Sequence, residues 1–396
     1  MQPRRPPLNP INAQSTAALS GVHIAVTTDP AAARTAWQTL EEAGQSTLYQ
    51  SWAWCAAWRD TVGRARGITP VVVMGQDAEG RPLFVLPLQL DRRWGTTLLQ
   101  WQTWPHASYG YGLYAADFLP RAGEWFARHH TDLAQRLPAF DLWALHDMPA
   151  ELFAMPHPFA ALFNLRGANA LYAMDIGSDF AALHAAKRSG ETRRSTRKRD
   201  TRLEAMGRLS FGLPHSAAER QDVLERMFAD HRNRMAEANV HGVFDDVGKA
   251  FVHALGANDD AGSPLLRPYV LRLDDRILAV KLGAVHGGCF WALISSLAAG
   301  PERKYSPGDL ALRRMIEACC AEGLESIDFA SGDTPYKQHW ADRVVPLFSL
   351  VRPRTARGAA LWLPVAGYYH AKRVAKHTPL LKDLHRSIRG WLPPWR

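Results

Sequence analysis

The feature that most constrains this chain is an order of elements that occurs twice. Two apolar, β-rich runs over 71–90, separated by the turn-forming QDAEG, predict a hairpin. A strand over 97–104, an amphipathic helix over 123–136 and a strand over 140–146 follow it. The second half repeats the order: a hairpin over 269–285 turning at DDR, a strand over 289–297, a helix over 309–322 and a strand over 325–331. Helices precede each hairpin. In the first half they are AAARTAWQTLEEAG, entered through Asp29 and Pro30 and closed at Gly44, and then SWAWCAAWRDTVG. In the second half RQDVLERMFADHRNRMAEA carries an apolar stripe of Val223, Leu224, Met227, Phe228 and Met235. Before it, 180–207 reads as largely helical and ends at Gly207, a left-handed cap by its type. Residue identity between the halves is low, so the duplication is one of pattern, and two unrelated domains remain the alternative. The order predicts an α/β (α+β) protein with two mixed, mostly antiparallel sheets, each covered by helices.

The 396 residues accommodate such a pair with segments to spare. Residues 1–20, rich in Pro, Asn and Ser, are expected to be disordered. The halves are expected at 21–170 and 171–352, with a basic aromatic segment at 353–396. Cys55, Cys289, Cys319 and Cys320 have no metal-type spacing, and a reducing, cytoplasmic setting fits them. The N-terminus lacks the apolar stretch of a signal peptide, and no apolar run approaches the roughly 20 residues of a spanning helix.

Mapping the net charge of +9 changes its meaning. Segment 187–202 carries +6 and segment 352–396 carries +9, so the rest of the chain stands at −6. Concentrated cationic blocks of this kind serve phosphate-bearing or anionic-lipid partners, or are solvated helix faces. DNA is not the partner this distribution suggests.

The densest chemical signal is RKYSPGDLALRRMIEACCAEGLESIDFASGDTPYKQHW, residues 302–340 less its first position. YSPGD opens a helix. Pro307 presets the first turn, Gly308 permits close approach of a ligand, and the free N–H groups there suit a phosphate. Arg303, Lys304, Arg313 and Arg314 add cations nearby. An ordinary capped helix is the plainer reading of the same residues.

YSPG at a helix start, IDFASGD on the next strand and YKQHW after it resemble the GNAT-fold CelD-like acetyltransferase domain of bacterial polysaccharide biosynthesis proteins. The basic stretch ending in RLEAMG resembles that family's Arg-rich helix. PLFVLPLQL and SYGYGL are similar to its N-terminal portion, so the resemblance spans roughly 40–350. It implies two GNAT-like halves, as in the related FemABX transferases. It also implies acyl-CoA as co-substrate and an amine or hydroxyl acceptor on an envelope glycan or lipid precursor, a sphingoid base among them. By position it assigns CoA binding to Lys304, Tyr305, Ser306, Pro307, Gly308, Asp309 and Arg313. KYSPGD has one glycine where GNAT enzymes usually carry [Q/R]xxGx[G/A], so an acyl-carrier protein or aminoacyl-tRNA donor stays open.

The resemblance further implies that strand 289–297 offers a backbone N–H near Ala292–Ser295 to a developing oxyanion, and that Tyr336 protonates the departing thiolate. Asp333, on a loop at a strand end, either caps the turn or orients the acceptor. Lys337 either orients Asp333 or forms a surface ion pair. His286 is a base or a turn residue. Asp328 and Trp340 are candidates for substrate contact, as are Arg194 and Arg197 of the basic helix. Tyr109 and Tyr111 line a cleft or pack in a core. No metal-ligand cluster, Walker loop or nucleophile elbow occurs in the sequence. Trp362, Tyr368, Tyr369, Trp391 and Trp395 alternate with Lys and Arg in the tail, a pattern for an anionic membrane surface or for a helix packed on the domain. A FemABX-like transferase using tRNA and a degenerate binding scaffold are the competing readings. The lack of a long coiled-coil arm argues against RNA.

Overall fold

The computed structural model describes residues 18–43, 45–237, 244–257 and 265–377. The chain divides into two compact units. One takes the chain up to Arg166 together with Phe348–Tyr369, and the other takes Gly167–Leu347 and the residues from His370 on.

The N-terminal unit begins with β1 (Ala18–Leu19) and β2 (Val22–Thr27), which pair antiparallel, so regular structure starts inside the stretch expected to be disordered. Residues 1–17 lie outside the described residues. The first helix enters as a 3₁₀ turn, with Asp29 accepting from the Ala31 amide at 3.0 Å. It continues as α1 (Arg34–Glu42) and ends at Ala43; Gly44 lies outside the described residues. The second helix runs α2 (Trp52–Trp58), a π turn over Arg59–Gly63, and α3 (Arg64–Arg66). Strands β3 (Thr69–Gln76) and β4 (Pro82–Arg93) form the hairpin, followed by β5 (Thr96–Trp101), β6 (Leu113–Tyr114), α4 (Leu119–Arg136) and β7 (Leu142–Pro149). A short ribbon, β8 (Glu151–Leu152) with β9 (Met155–Pro156), completes the order. The sheet order is β1-β2-β3-β4-β5-β7. Trp37, Phe84, Trp125, Phe126 and Phe159 centre its core.

The C-terminal unit runs β10 (Leu165–Asp175), α5 (Phe180–Lys187), α6 (Gly190–Glu204), β11 (Leu209–Gly212), α7 (Ala217–Glu237) and α8 (Asp246–Ala257). The hairpin β12 (Leu266–Leu273) and β13 (Arg276–His286) leads to β14 (Cys289–Leu297), α9 (Pro307–Ala321), β15 (Ser326–Ser331) and α10 (Pro335–Trp340). Its sheet order is β10-β15-β14-β13-β12-β11. The described residues end with β16 (Arg343–Pro353) and α11 (Ala356–His377). Trp391 and Trp395 of the tail lie outside the described residues. No helix among the described residues is long and apolar enough to cross a membrane.

In both units a pair of helices leads directly into a hairpin, a strand, a helix and a strand; in the C-terminal unit β10, α5, α6 and β11 come before them. In each, a parallel pair of strands stays paired only briefly. β5 meets β7 only at Leu98–Leu99, and β14 meets β15 only at Cys289–Trp291. Gly207 departs from the expectation. Helix α6 ends at an Ala205 cap, and Gly207 is not left-handed. It is glycine because the Asp274 carboxylate, which accepts from the Arg208 amide at 2.9 Å, lies 2.5 Å from where a Cβ would stand.

A shared packing device makes a stability prediction. The Phe84 ring covers Gly75 in one unit and the Phe290 ring covers Gly283 in the other, each within 2.2 Å of a hypothetical Cβ. Gly283→Ala is expected to lower unfolding free energy by about 1–3 kcal/mol in denaturant titrations, since the ring must leave its place.

Candidate active site

The site grows from the place where β14 and β15 part. Their pairing stops at Trp291 opposite Asp328, although β14 runs on to Leu297 and β15 to Ser331. The cause lies in β15. Opposite β10, the step from Leu171 to Ala173 spans Ser331 to Asp328, so β15 carries an extra residue. Ala330 takes φ +61, and its amide donates to Asp328 Oδ1 at 2.6 Å. Asp328 is buried and shapes this bulge, which corrects its assignment to substrate contact.

Lys337, on α10, is buried as well. Its Nζ donates to the carbonyls of Ser331 at 2.8 Å and Ala330 at 3.3 Å. Burial pulls its pKa down to about 8, against the opposing charges of Asp328 and Asp333. It clamps the bulge from a buried position and is not a surface ion pair. Asp333 itself is exposed and accepts from the Tyr172 hydroxyl at 2.8 Å. Tyr336 is half-buried, packs edge-on against Phe329 with centroids 6.1 Å apart, and has its pKa raised by burial.

Beyond the C-terminal end of β14, Ser306 adopts φ +58 and begins α9. Its carbonyl accepts from the amides of Asp309 and Leu310, and its hydroxyl accepts from Arg199 Nη1 at 3.0 Å. The basic helix α6 is thereby tied to the start of α9. Arg313 makes a second tie, donating to both Asp200 oxygens at 2.7 and 2.9 Å and to Asp309 at 3.2 Å. Its charge is therefore engaged inside the protein. Arg193, Arg194, Arg197 and Lys198 are exposed on α6 and make no ion pair among the described residues. Lys304 is exposed over the Tyr305 ring at 5.0 Å. A Cβ on Gly308 would touch only Leu297, at an ordinary 3.6 Å. Packing does not demand glycine there, and the first turn of α9 is left open to a ligand.

Several expected residues stand apart. His286 pairs with Cys289 at the opposite end of β14, about 17 Å along β13 from Lys281, the register partner of Ser295, at 3.4 Å per residue. Burial pulls its pKa down to about 4. Trp340 is fully buried, stacked on His184 at 5.8 Å with the Arg188 guanidinium over its other neighbourhood at 5.0 Å, so it is packing and not a substrate contact. Tyr109 and Tyr111 are fully buried in the N-terminal unit. Tyr109 packs edge-on against Tyr49 at 5.1 Å and Tyr111 against His157 at 4.9 Å, which corrects the cleft-lining reading. An open pocket of about 400 Å³ bounded by Glu204, Phe211, Leu310 and Arg314 contains none of the expected site residues.

The sequence reading missed Lys281 and His231. Lys281 lies on β13, buried, directly across from Ser295 in register, and its Nζ donates to Ser295 Oγ at 3.2 Å. The same Nζ lies 5.7 Å from the centre of the Tyr336 ring. The His231 ring of α7 is buried beside Ser295, and that burial lowers its pKa. The signal was present in the sequence as a lone lysine inside ILAVKLGAV.

Comparison with known proteins agrees with this geometry. Residues 190–338 match the acetyltransferase (GNAT) domain family. The part of the chain that carries the match is thus similar to an acyltransferase domain of GNAT type. It resembles the crystal structure of FemX with a TM-score of 0.58 at 10% identity, over 84% of this chain and 98% of that one. The C-terminal domain of a putative lysylphosphatidylglycerol synthetase from Agrobacterium fabrum gives 0.47 at 13%, over 85% and 95%. A tandem GNAT protein of the clavulanic acid biosynthesis pathway gives 0.46 at 11%, over 84% and 98%. No curated protein sequence matches the chain. The GNAT match covers the bulge, the start of α9, the basic helix and Tyr336.

Lys281 yields a pH prediction. Burial is the main cause of its fall to about 8, Arg234 of α7 lowers it further, and Asp309 of α9 opposes; Ser295, Tyr336 and the register partner Tyr269 complete its polar surroundings. A lysine whose folded pKa lies below its unfolded value destabilises at low pH, and the penalty is relieved as pH rises from about 8 to about 10.5. The unfolding free energy of the native protein minus that of Lys281→Met is therefore expected to rise by about 1–3 kcal/mol between pH 7 and pH 10 in isothermal denaturation.

Proposed function

We propose that the C-terminal unit transfers an acyl group from a coenzyme A thioester to an amine or hydroxyl of an envelope glycan or lipid precursor. The observation that carries the donor half of this reading is the parting of β14 and β15 beside the open first turn of α9, to which Arg199 ties the helix α6 with its exposed cations. The pantetheine arm fits the gap as a strand-like partner for β14 beyond Trp291. Its phosphates fit the amides at Gly308 and the side chains of Arg193, Arg194, Arg197 and Lys198. Lys304, Tyr305, Ser306 and Pro307 frame that turn. Asp309 and Arg313 hold it in place from within.

The chemistry needs two further groups. An amide on the free edge of β14 near Ala292–Ser295 meets the oxyanion as the thioester carbonyl is attacked. The Tyr336 phenol, whose burial keeps it protonated, supplies a proton to the departing sulfur. Asp333, exposed at the mouth of the bulge, is placed to orient the acceptor. The acceptor class rests on the motif resemblance of YSPG, IDFASGD and YKQHW. It gains support from α11, where half-buried Trp362 adjoins Leu363, 66% exposed, as a face suited to an anionic membrane surface.

The native protein is expected to show a higher Tm with CoA and with acetyl- or longer acyl-CoA, because ligands that bind the folded state stabilise it by mass action. Paired Arg194→Glu and Arg197→Glu changes should weaken that shift. A flat thermal profile with every thioester overturns the reading. Tyr336→Phe is expected to cut thiol release about 100-fold while leaving CoA affinity unchanged.

A further inference from the structure

We propose that Ser295 is an acyl-accepting nucleophile and Lys281 its base, so that the acyl group resides on the enzyme as a serine ester before it reaches the final acceptor. This rests on the thioester reading above and adds a covalent step to it.

The geometry is that of an accessible hydroxyl backed by a buried amine. Ser295 is half-exposed and lies on the stretch of β14 that has parted from β15. Lys281 is 9% exposed and makes no ion pair among the described residues. Among the described residues its Nζ has one hydrogen-bond partner, Ser295 Oγ at 3.2 Å, and lies by the Tyr336 ring. Buried ammonium groups are almost always paired with carboxylates or capped by several acceptors. An apolar side chain would fill ILAVKLGAV at lower cost, so a structural role does not account for the lysine. The two residues are cross-strand partners in register on adjacent strands, which fixes their separation without a mobile loop. A nucleophile and a base within hydrogen-bond reach are the parts of a serine–lysine dyad. The pull of burial on Lys281 toward about 8 keeps a usable fraction of neutral amine near physiological pH.

The steps balance. Neutral Nζ takes the Ser295 Oγ proton as Oγ bonds to the thioester carbon. The C–S bond breaks and the proton passes to sulfur, so a thiol leaves and Nζ is neutral again. The acceptor then gives its N–H or O–H proton to Nζ as it attacks the ester. The Oγ–C bond breaks, and Oγ recovers a proton from Nζ.

The test does not require the natural acceptor. The full chain is mixed with acetyl-CoA or octanoyl-CoA alone, quenched within the first turnover, and read by intact mass and peptide mapping. The expected result is one acyl group per chain on the peptide bearing Ser295, released by hydroxylamine and matched by one thiol. Ser295→Ala should abolish the adduct while keeping the CoA-induced rise in Tm, and Ser295→Cys should restore an adduct as a thioester. Lys281→Met should slow adduct formation about 100-fold or more. A CoA-induced rise in Tm with no adduct in the native chain overturns the dyad and leaves the acyltransferase reading standing. So does a hydroxylamine-resistant acyl group mapping to Lys281. Absence of any CoA binding overturns both.

Discussion

A single hydrogen bond, from the Ala330 amide to the Asp328 carboxylate at 2.6 Å, sets the geometry on which the candidate site depends. It allows a non-glycine residue to hold φ +61 in the middle of a strand, and the extra residue that results turns β15 away from β14. The carbonyls displaced by the bulge do not go unpaired, because Lys337 reaches them from α10. Carboxylate and ammonium are both buried, yet each is satisfied by backbone partners. The parting of the strands is thus a fixed feature of the folded chain, with its edge free to meet an extended ligand.

The same parting occurs in the N-terminal unit with a different outcome. Beyond Leu99 and Trp143, the Asp147 carbonyl of β7 accepts from the Gly110 amide at 3.1 Å. A Cβ on Gly110 would lie 2.0 Å from the Trp101 ring, so the loop passes hard against that indole. Tyr109, Tyr111 and His157 fill the surrounding volume. The gap is closed by backbone and aromatic rings in this unit and left to a ligand in the other. The duplicated fold explains the shared strand order.

The order of elements was legible because it rests on hydropathy period and turn chemistry, which are local. The two hairpins, the helices that precede them and the strand–helix–strand sequels all follow from such signals. The caps were less legible. Gly207 has the composition of a left-handed cap, yet it is fixed by a carboxylate from a turn 67 residues on, and no local pattern reports that. Site residues divided along the same line. Ser306, Gly308 and Tyr336 sit where motif order puts them. Asp328 and Trp340 are buried, and a polar or aromatic residue inside a motif does not reveal beforehand whether it faces a gap or a core. Lys281 was overlooked for the complementary reason. A lysine in an apolar strand reads as an edge position until register places Ser295 across from it.

The two buried lysines of the C-terminal unit show what separates a structural charge from a reactive one. Burial lowers both to about 8. Lys337 has two backbone carbonyls within reach and two carboxylates favouring its charged form, so its surroundings are complete without a ligand. Lys281 has one hydroxyl, an aromatic face and the adverse charge of Arg234, offset only in part by Asp309. The desolvation cost is similar, and the compensation is not. An incompletely compensated amine beside a half-exposed hydroxyl is a poor stabilising element and a serviceable base. The hydroxyl lies on β14 beyond the point where β15 leaves it, and the amine backs it from β13.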